Sequence, residues 1–115
     1  MCSQPELNQI LDVFVAKAQA RFGNSLKDVI LYGSYARGDF DAESDVDIVL
    51  LFDIPRENES TLNSAIADIV SEIDEQFNYA VLFSPVIISD SFFEEWKDTL
   101  PFYKNIAKEG VKLIA

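Results

Sequence analysis

The feature that most constrains the fold is the segment VDIVLLF at residues 46–52, which is apolar at every position except Asp47. A strand with one solvated face alternates apolar and polar residues, whereas this run is apolar on both faces, as in a strand inside a covered sheet. An unpaired carboxylate is costly in such a place. We therefore expect Asp47 to have a specific partner.

Helix and strand patterns precede this segment. Residues 3–6 (SQPE) have the form of a capping box, and apolar residues at helical spacing then predict a first helix that ends near residue 21 or 22. Residues 29–32 (VILY) predict a short buried strand that ends at Gly33. Residues 39–44 (DFDAES) are mostly polar and are expected to form a loop between the two strands.

The second half of the chain predicts further elements. Ser60 is a plausible cap for a helix that follows a polar connector. Residues 79–89 are rich in β-branched and aromatic side chains and predict a third strand, in which Pro85 indicates an edge position or a bulge. Two helical pieces are expected at about 91–97 and 101–109.

The end of the chain and its length complete the prediction of the fold. Gly110 is expected to cap the last helix, and residues 111–115 to form a short extended tail. A length of 115 residues is near the commonest size of a single domain, so we expect one domain over residues 1–115. The predicted class is α/β (α+β), with a small mixed β-sheet flanked by helices.

Charge and composition exclude several classes of function. Nine basic against twenty acidic residues give a net charge of −11, which repels phosphate backbones and argues against a nucleic-acid substrate. The acidic surplus serves either solubility or complementarity to a basic protein partner. The single Cys2 fits a reducing, cytoplasmic compartment, and no apolar run reaches the roughly eighteen residues that a membrane span requires.

The most informative stretch is LYGSYARG at residues 31–38. A glycine directly after a strand lets the backbone turn sharply, and Ser34 then begins a short helix whose free N–H groups favour an anion. A triphosphate is the natural ligand for such a turn. Arg37 either stabilises that negative charge or pairs with the acidic loop that follows. Tyr32 and Tyr35 are either available to stack on a nucleobase or part of the core.

Two aspartates follow at the start of the second strand. Asp45 and Asp47 are separated by one residue, so both carboxylates are expected on the same side, with α-carbons roughly 6–7 Å apart. Such hard oxygen ligands suit Mg²⁺, which takes one or two protein carboxylates together with phosphate oxygens and water. A glycine turn or an aspartate pair alone is most often structural, but their combination around two strands favours a nucleotide site.

Gly33-Ser34, ten intervening residues and Asp45-x-Asp47 resemble the signature of the polymerase-β-like nucleotidyltransferase superfamily. The surrounding GSYARG and Ser44-Asp45 are similar to the minimal nucleotidyltransferases (MNT), which are often partnered with a HEPN-family ribonuclease toxin in prokaryotic toxin–antitoxin pairs. The resemblance implies a nucleotidyltransferase fold and transfer of AMP from ATP to a hydroxyl, such as a tyrosine of the toxin, with release of pyrophosphate.

The same resemblance implies roles for particular residues. Asp45 and Asp47 would be catalytic and bind Mg²⁺, and the nucleotide-binding residues would be Gly33, Ser34, Arg37 and Ser44. The partners implied are a nucleoside triphosphate and a HEPN-type toxin, in a hetero-oligomer with this chain as the antitoxin.

One part of the superfamily pattern is missing. A third carboxylate usually lies on a later strand, but residues 79–89 contain only Ser84 and Ser89 as small polar groups. Asp90, just beyond them, is the best sequence candidate. Asp53 shares the strand parity of Asp47, but it lies about 26 Å from Asp45 along an extended strand.

Four functions therefore stay open. The chain is an adenylylating antitoxin, a catalytically weak module that neutralises its partner by binding, a small-molecule nucleotidyltransferase similar to aminoglycoside-modifying enzymes, or a template-directed polymerase. The last two are disfavoured, because the chain has no room for a substrate-binding domain and no basic track for a nucleic acid. Five aromatic residues near the C-terminus form either core or a surface for a partner: Phe92, Phe93, Trp96, Phe102 and Tyr103.

Overall fold

The computed structural model describes residues 4–38 and 45–114, and in them a mixed sheet carries helices on both faces. The α-helices of these residues are α1 (Gln4–Phe22), α2 (Ser34–Arg37), α3 (Asn63–Gln76), α4 (Asp90–Trp96) and α5 (Pro101–Glu109). The strands are β1 (Leu26–Tyr32), β2 (Val46–Phe52), β3 (Phe83–Ser89) and β4 (Val111–Lys112). The predicted fold class is confirmed, whereas Ser3 and the predicted loop at 39–44 lie outside the described residues.

The described strands form one sheet in the order β3-β2-β1-β4. β1 runs antiparallel to β2 and to β4, whereas β2 and β3 are parallel. A parallel pair requires a crossover, which a 3-10 helix at Arg56–Leu62 and the following α3 supply. Every residue of β2 is buried except Asp47, which is half-buried. The doubly covered strand predicted from its sequence is therefore confirmed.

Each face of the sheet packs against its own pair of helices. Side chains of α1 and α3 form one core with Ile48 and its neighbours on the same side of β2. On the opposite face, Phe93 of α4 and Ile106 of α5 pack against Val49. Because side chains alternate along a strand, Asp47 lies on the same face as Val49. We call it the α4–α5 face.

The third helix begins later than the sequence predicted. Ser60 does not cap it, because Arg56–Leu62 forms a 3-10 helix and α3 starts at Asn63 without a side-chain cap. Tertiary contacts hold this segment in its tighter turn. The Glu59 carboxylate accepts a hydrogen bond from the Ser89 N–H at 2.7 Å, and the Arg56 guanidinium lies 3.8 Å from the centre of the Phe92 ring.

The third strand is shorter than predicted but has the predicted position. It begins at Phe83 and not at Tyr79, because Asn78 and Tyr79 adopt positive φ angles of 55° and 56° in a turn after α3. The Tyr79 N–H donates to the carbonyl of Asp74 at 2.8 Å. β3 is an edge strand of the sheet, as its internal proline indicated.

The C-terminal segment joins the sheet. Gly110 ends α5 as predicted, with its N–H donating to the Ile106 carbonyl at 2.8 Å, but its φ of −69° is an ordinary one. Glycine is required there by space, since a Cβ would overlap the Ile30 side chain and the Ile106 carbonyl. The expected extended tail pairs with β1 as β4, and Ala115 lies outside the described residues.

No membrane-spanning helix is present in the part of the chain that the structure describes, because none of its helices is both long and apolar enough.

Candidate functional site

The site begins where β1 turns into α2. Gly33 follows the last residue of β1 and has a φ of +75°, which favours glycine over residues with a Cβ. The space is also tight, because a Cβ at this position would overlap the carboxylate of Asp47 unless that side chain shifted. The sharp turn predicted from the sequence is confirmed, and the structure brings Asp47 directly against it.

Asp47 occupies the second position of β2. It pairs in register with Tyr32 of β1, on the α4–α5 face. Burial and, second, the negative charge of Asp47 raise the pKa of the Tyr32 hydroxyl above its ordinary value of 10.0. Tyr32 therefore keeps its proton near neutral pH and can donate a hydrogen bond, so it is no base for the site.

Asp45 lies immediately before β2 and is exposed. The strand begins at Val46, whose N–H donates to the Leu82 carbonyl at 2.8 Å. Asp45 is thus close in sequence to Asp47 but outside the regular strand. Ser34 and Arg37 are the first and last residues of α2, whereas Ser44 lies outside the described residues.

The oxygen ligands of this region fit a hard divalent cation. Two aspartates, with phosphate oxygens and water as the other ligands, are the set that Mg²⁺ usually takes. Within residues 4–38 and 45–114, no group of three or more His, Cys, Asp or Glu side chains is placed to hold a metal ion.

The residue beside Asp47 on the neighbouring strand is a serine. In the parallel pairing of β2 and β3, Asp47 lies opposite Ser84, and Phe52 lies opposite Ser89. Asp90 follows Ser89, six residues beyond Ser84 and hence roughly 20 Å away along the strand. The prediction that Asp90 is the third carboxylate of this site is therefore wrong.

Asp90 has a different environment at the opposite end of the sheet. Burial and then the charge of Glu94 raise the pKa of Asp90, while Lys27 lowers it and Asp53 and Asp28 raise it further. The exclusion of Asp53 from the site is confirmed, because it follows the far end of β2, where its N–H donates to the Ser25 carbonyl at 2.7 Å.

A cavity of about 210 Å³ opens beside the glycine turn. Its lining residues come from the end of β1 and from one face of α5: Tyr32, Gly33, Phe102, Asn105, Ile106 and Glu109. The Phe102 ring meets the Tyr32 ring edge to face at 5.6 Å. Tyr35 instead packs against the α1–α3 core.

Asn105 was not predicted as a site residue, and Phe102 was predicted only as one of five aromatic residues near the C-terminus. The available signal was the helical spacing of residues 102, 105, 106 and 109, which places them on one face of α5. Nothing in the sequence showed that this face lies beside Gly33.

A larger cavity, of about 350 Å³, lies at the other end of the α4–α5 face. Charged residues of both signs line it: Lys27, Asp28, Asp90, Glu94, Lys97 and Lys112. Lys97 lies 2.9 Å from Glu94, and Lys112 lies 3.5 Å from Asp28. None of the residues predicted to bind nucleotide or metal lines this cavity.

Comparison with known proteins finds a matching family model and several related proteins. The family model described as "Nucleotidyltransferase domain" matches residues 9–114. Three proteins of Methanocaldococcus jannaschii, each named "Putative protein adenylyltransferase", are similar to this chain. One is 37% identical, covering 78% of this chain and 91% of the relative. The others are 35% identical, covering 71% and 54%, and 29% identical, covering 84% and 87%.

Proposed function

The chain belongs to the nucleotidyltransferase domain family, and we propose on that basis that it transfers AMP from ATP to a hydroxyl of a partner protein, with Mg²⁺ as cofactor. The observation that carries the proposal is the position of the Asp47 carboxylate against the turn at Gly33. A metal-binding carboxylate thereby lies where the resemblance assigns the triphosphate.

In this proposal, Asp45 and Asp47 hold Mg²⁺, and Gly33, Ser34 and Ser44 bind the triphosphate. Mg²⁺ held by these two aspartates would supply positive charge against the phosphate oxygens and the leaving pyrophosphate. The half-buried position of Asp47 supports its role, because a partly desolvated carboxylate attracts a cation more strongly than an exposed one.

The reaction exchanges one bond at the α-phosphorus of ATP. The acceptor oxygen bonds to that phosphorus, the bond to the oxygen bridging the α- and β-phosphates breaks, and pyrophosphate leaves. Arg37 stabilises the charge that develops on the phosphate oxygens. The acceptor hydroxyl loses its proton to water, since Ser84 stands beside Asp47 and supplies no carboxylate.

A protein is the acceptor that we propose, and two observations support it. The related proteins of M. jannaschii carry names that refer to protein adenylylation. The net charge of −11 suits a basic protein partner better than a nucleic acid. Together with the MNT resemblance, this favours an antitoxin that adenylylates a HEPN-type ribonuclease toxin in the cytoplasm and forms a hetero-oligomer with it.

A second candidate function is favoured by one specific observation. Ser84 occupies the β3 position in register with Asp47, where a carboxylate would complete the metal site and accept the hydroxyl proton. A positioned general base contributes roughly 10²- to 10⁴-fold to a rate. The alternative is therefore a catalytically weak module that neutralises its partner by stoichiometric binding.

The two candidates are separated by incubating the chain with α-labelled ATP and Mg²⁺, with and without the protein encoded by the neighbouring gene. Label should pass to that protein only when the native chain and Mg²⁺ are both present. Asp45→Asn and Asp47→Asn should each abolish labelling, whereas Asp53→Asn, at the far end of β2, is the matched control and should label normally.

Each outcome decides between the candidates. Absence of labelling, together with a complex that still suppresses the activity of the partner, would exclude the transferase and leave the binding module. If Asp53→Asn lost as much labelling as Asp45→Asn and Asp47→Asn, the loss would not be specific to the site beside Gly33.

A further inference from the structure

We infer that the cavity between the end of β1 and α5 is the pocket for the base of the nucleotide, and that Phe102 and Asn105 select it. This inference rests on the proposed function, because it assumes that the triphosphate lies at Gly33. Gly33 itself lines the cavity, so the cavity is continuous with the turn beside Asp47. A nucleotide whose phosphates lie at the turn can extend its base towards α5.

The size of the cavity suits part of a nucleotide. Its volume of about 210 Å³ is below the roughly 300–1,000 Å³ of pockets that enclose a whole ligand of drug size. A base and part of its ribose fit such a space, while the phosphates stay outside it, at the turn.

Phe102 provides an apolar surface for stacking. It is 44% exposed although it is a large aromatic residue, and the Tyr32 ring supports it from one side at 5.6 Å. An aromatic ring held in place by a neighbour and open to solvent is suited to stack on a base, since every base has a π-face. The exposure of Phe102 is explained if a base covers it.

Asn105 and Glu109 provide the polar part of the pocket. Both lie on the face of α5 that carries Phe102, three and seven residues further along. The Asn105 amide has both donors and acceptors for the edge of a base. The Glu109 carboxylate lines the same cavity, and its negative charge repels phosphate.

This chemistry predicts a preference among nucleotides. Adenine, a purine with two fused rings, has a larger π-face than uracil, a pyrimidine with one ring, and therefore stacks over more of the Phe102 ring. We therefore expect the chain to bind ATP more tightly than UTP. Inorganic tripolyphosphate should bind more weakly than either, because it lacks a base.

The test measures binding to the whole chain by calorimetry in the presence of Mg²⁺. The probes are the α,β-methylene analogue of ATP, which cannot release pyrophosphate, and inorganic tripolyphosphate. Phe102→Leu should bind the ATP analogue roughly 5- to 10-fold more weakly, the low end for a stacked base, and tripolyphosphate as tightly as the native chain. Asn105→Ala should likewise bind the ATP analogue more weakly and tripolyphosphate as tightly as the native chain. Phe102→Tyr keeps the ring and should bind both probes as tightly as the native chain.

Phe92→Leu is the matched control, because it makes the same change in α4 outside the cavity, and it should bind both probes normally. Equal binding of the ATP analogue by native chain, Phe102→Leu and Asn105→Ala would overturn the base pocket and leave the proposed function intact. Loss of tripolyphosphate binding in Phe102→Leu would also overturn it, since the effect would not be specific to the base. Failure of the native chain to bind either probe would contradict both proposals.

Discussion

The two ends of the α4–α5 face both carry aspartates and a cavity, but their aspartates have different surroundings. At the end that carries Asp90, which we call the far end, Lys112 lies 3.5 Å from Asp28, and Lys97 lies 2.9 Å from Glu94. At the end that carries Gly33, which we call the near end, the carboxylate of Asp47 lies against the glycine turn, and Tyr32, Phe102 and Asn105 line the adjoining cavity.

The two cavities also differ in size, and the smaller one adjoins the residues that we propose to bind nucleotide and metal. The far-end cavity is the larger one, at about 350 Å³ against about 210 Å³. Its acids already have cations within reach, so a metal ion would have to compete with lysines. The near end combines a required glycine with a half-buried carboxylate, and this arrangement is suited to a cation that a ligand brings with it.

The largest expected effect comes from adding an acid to the near end. Ser84→Asp places a carboxylate opposite Asp47, where it can bind Mg²⁺ and accept the hydroxyl proton. We expect the rate of label transfer to rise by roughly 10²- to 10⁴-fold. Ser91→Asp adds the same charge near the far end, on an exposed residue, and should leave the rate unchanged. An unchanged rate in a folded Ser84→Asp variant would contradict the account of the missing carboxylate.

A smaller effect is expected from filling the space between Gly33 and Asp47. Gly33→Ala introduces a Cβ that overlaps the carboxylate and imposes a positive φ on alanine, so the free energy of unfolding should fall by about 2–4 kcal/mol. Gly23 has a similar φ of +56° but nothing within 4 Å of a Cβ, so Gly23→Ala should cost only about 1 kcal/mol. Urea denaturation of both variants measures their free energies of unfolding. Equal losses in Gly33→Ala and Gly23→Ala would mean that the Asp47 carboxylate does not restrict the space at the turn.

The smallest effect concerns the far end and its dependence on pH. The pKa of Asp90 is raised in the folded chain, so its ionisation lowers stability as pH rises above its ordinary value of 3.8. Asp90→Asn removes this cost and should stabilise the chain at pH 7 by about 0.5 kcal/mol or less, since Asp90 is only partly buried and solvent screens its charge. The gain should vanish below pH 3.8, and melting curves at both pH values measure it. A loss of label transfer in this variant would contradict the separation of the two ends.

The fold could be predicted from the sequence because its strongest signals are local. The apolar run around Asp47 indicated a covered central strand, and apolar spacing indicated α1. The predicted start of α3 was too early, because Arg56 and Glu59 make contacts with residues that are more than 25 positions away in sequence. Such contacts leave no local pattern.

The candidate site was predictable only in part, for the same reason. Gly33 and Asp47 could be paired because a glycine after one strand and an aspartate on the next form a recognisable combination. The error at Asp90 arose because the register between β2 and β3, which places Ser84 beside Asp47, cannot be read from either strand alone. The residues of α5 that line the cavity could not be predicted, because they lie far from Gly33 in the sequence and meet it only in the folded chain.

The most direct test of the central claim locates the metal and nucleotide on the chain. Amide spectra of the ¹⁵N-labelled protein, recorded with Mn²⁺ and the α,β-methylene analogue of ATP, report distance from the metal ion as line broadening. The account predicts that the amide signals of Gly33, Val46 and Ser84 broaden, while those of Glu94 and Lys97 stay sharp. Broadening centred on Glu94 and Lys97, or no broadening at either end, would contradict it.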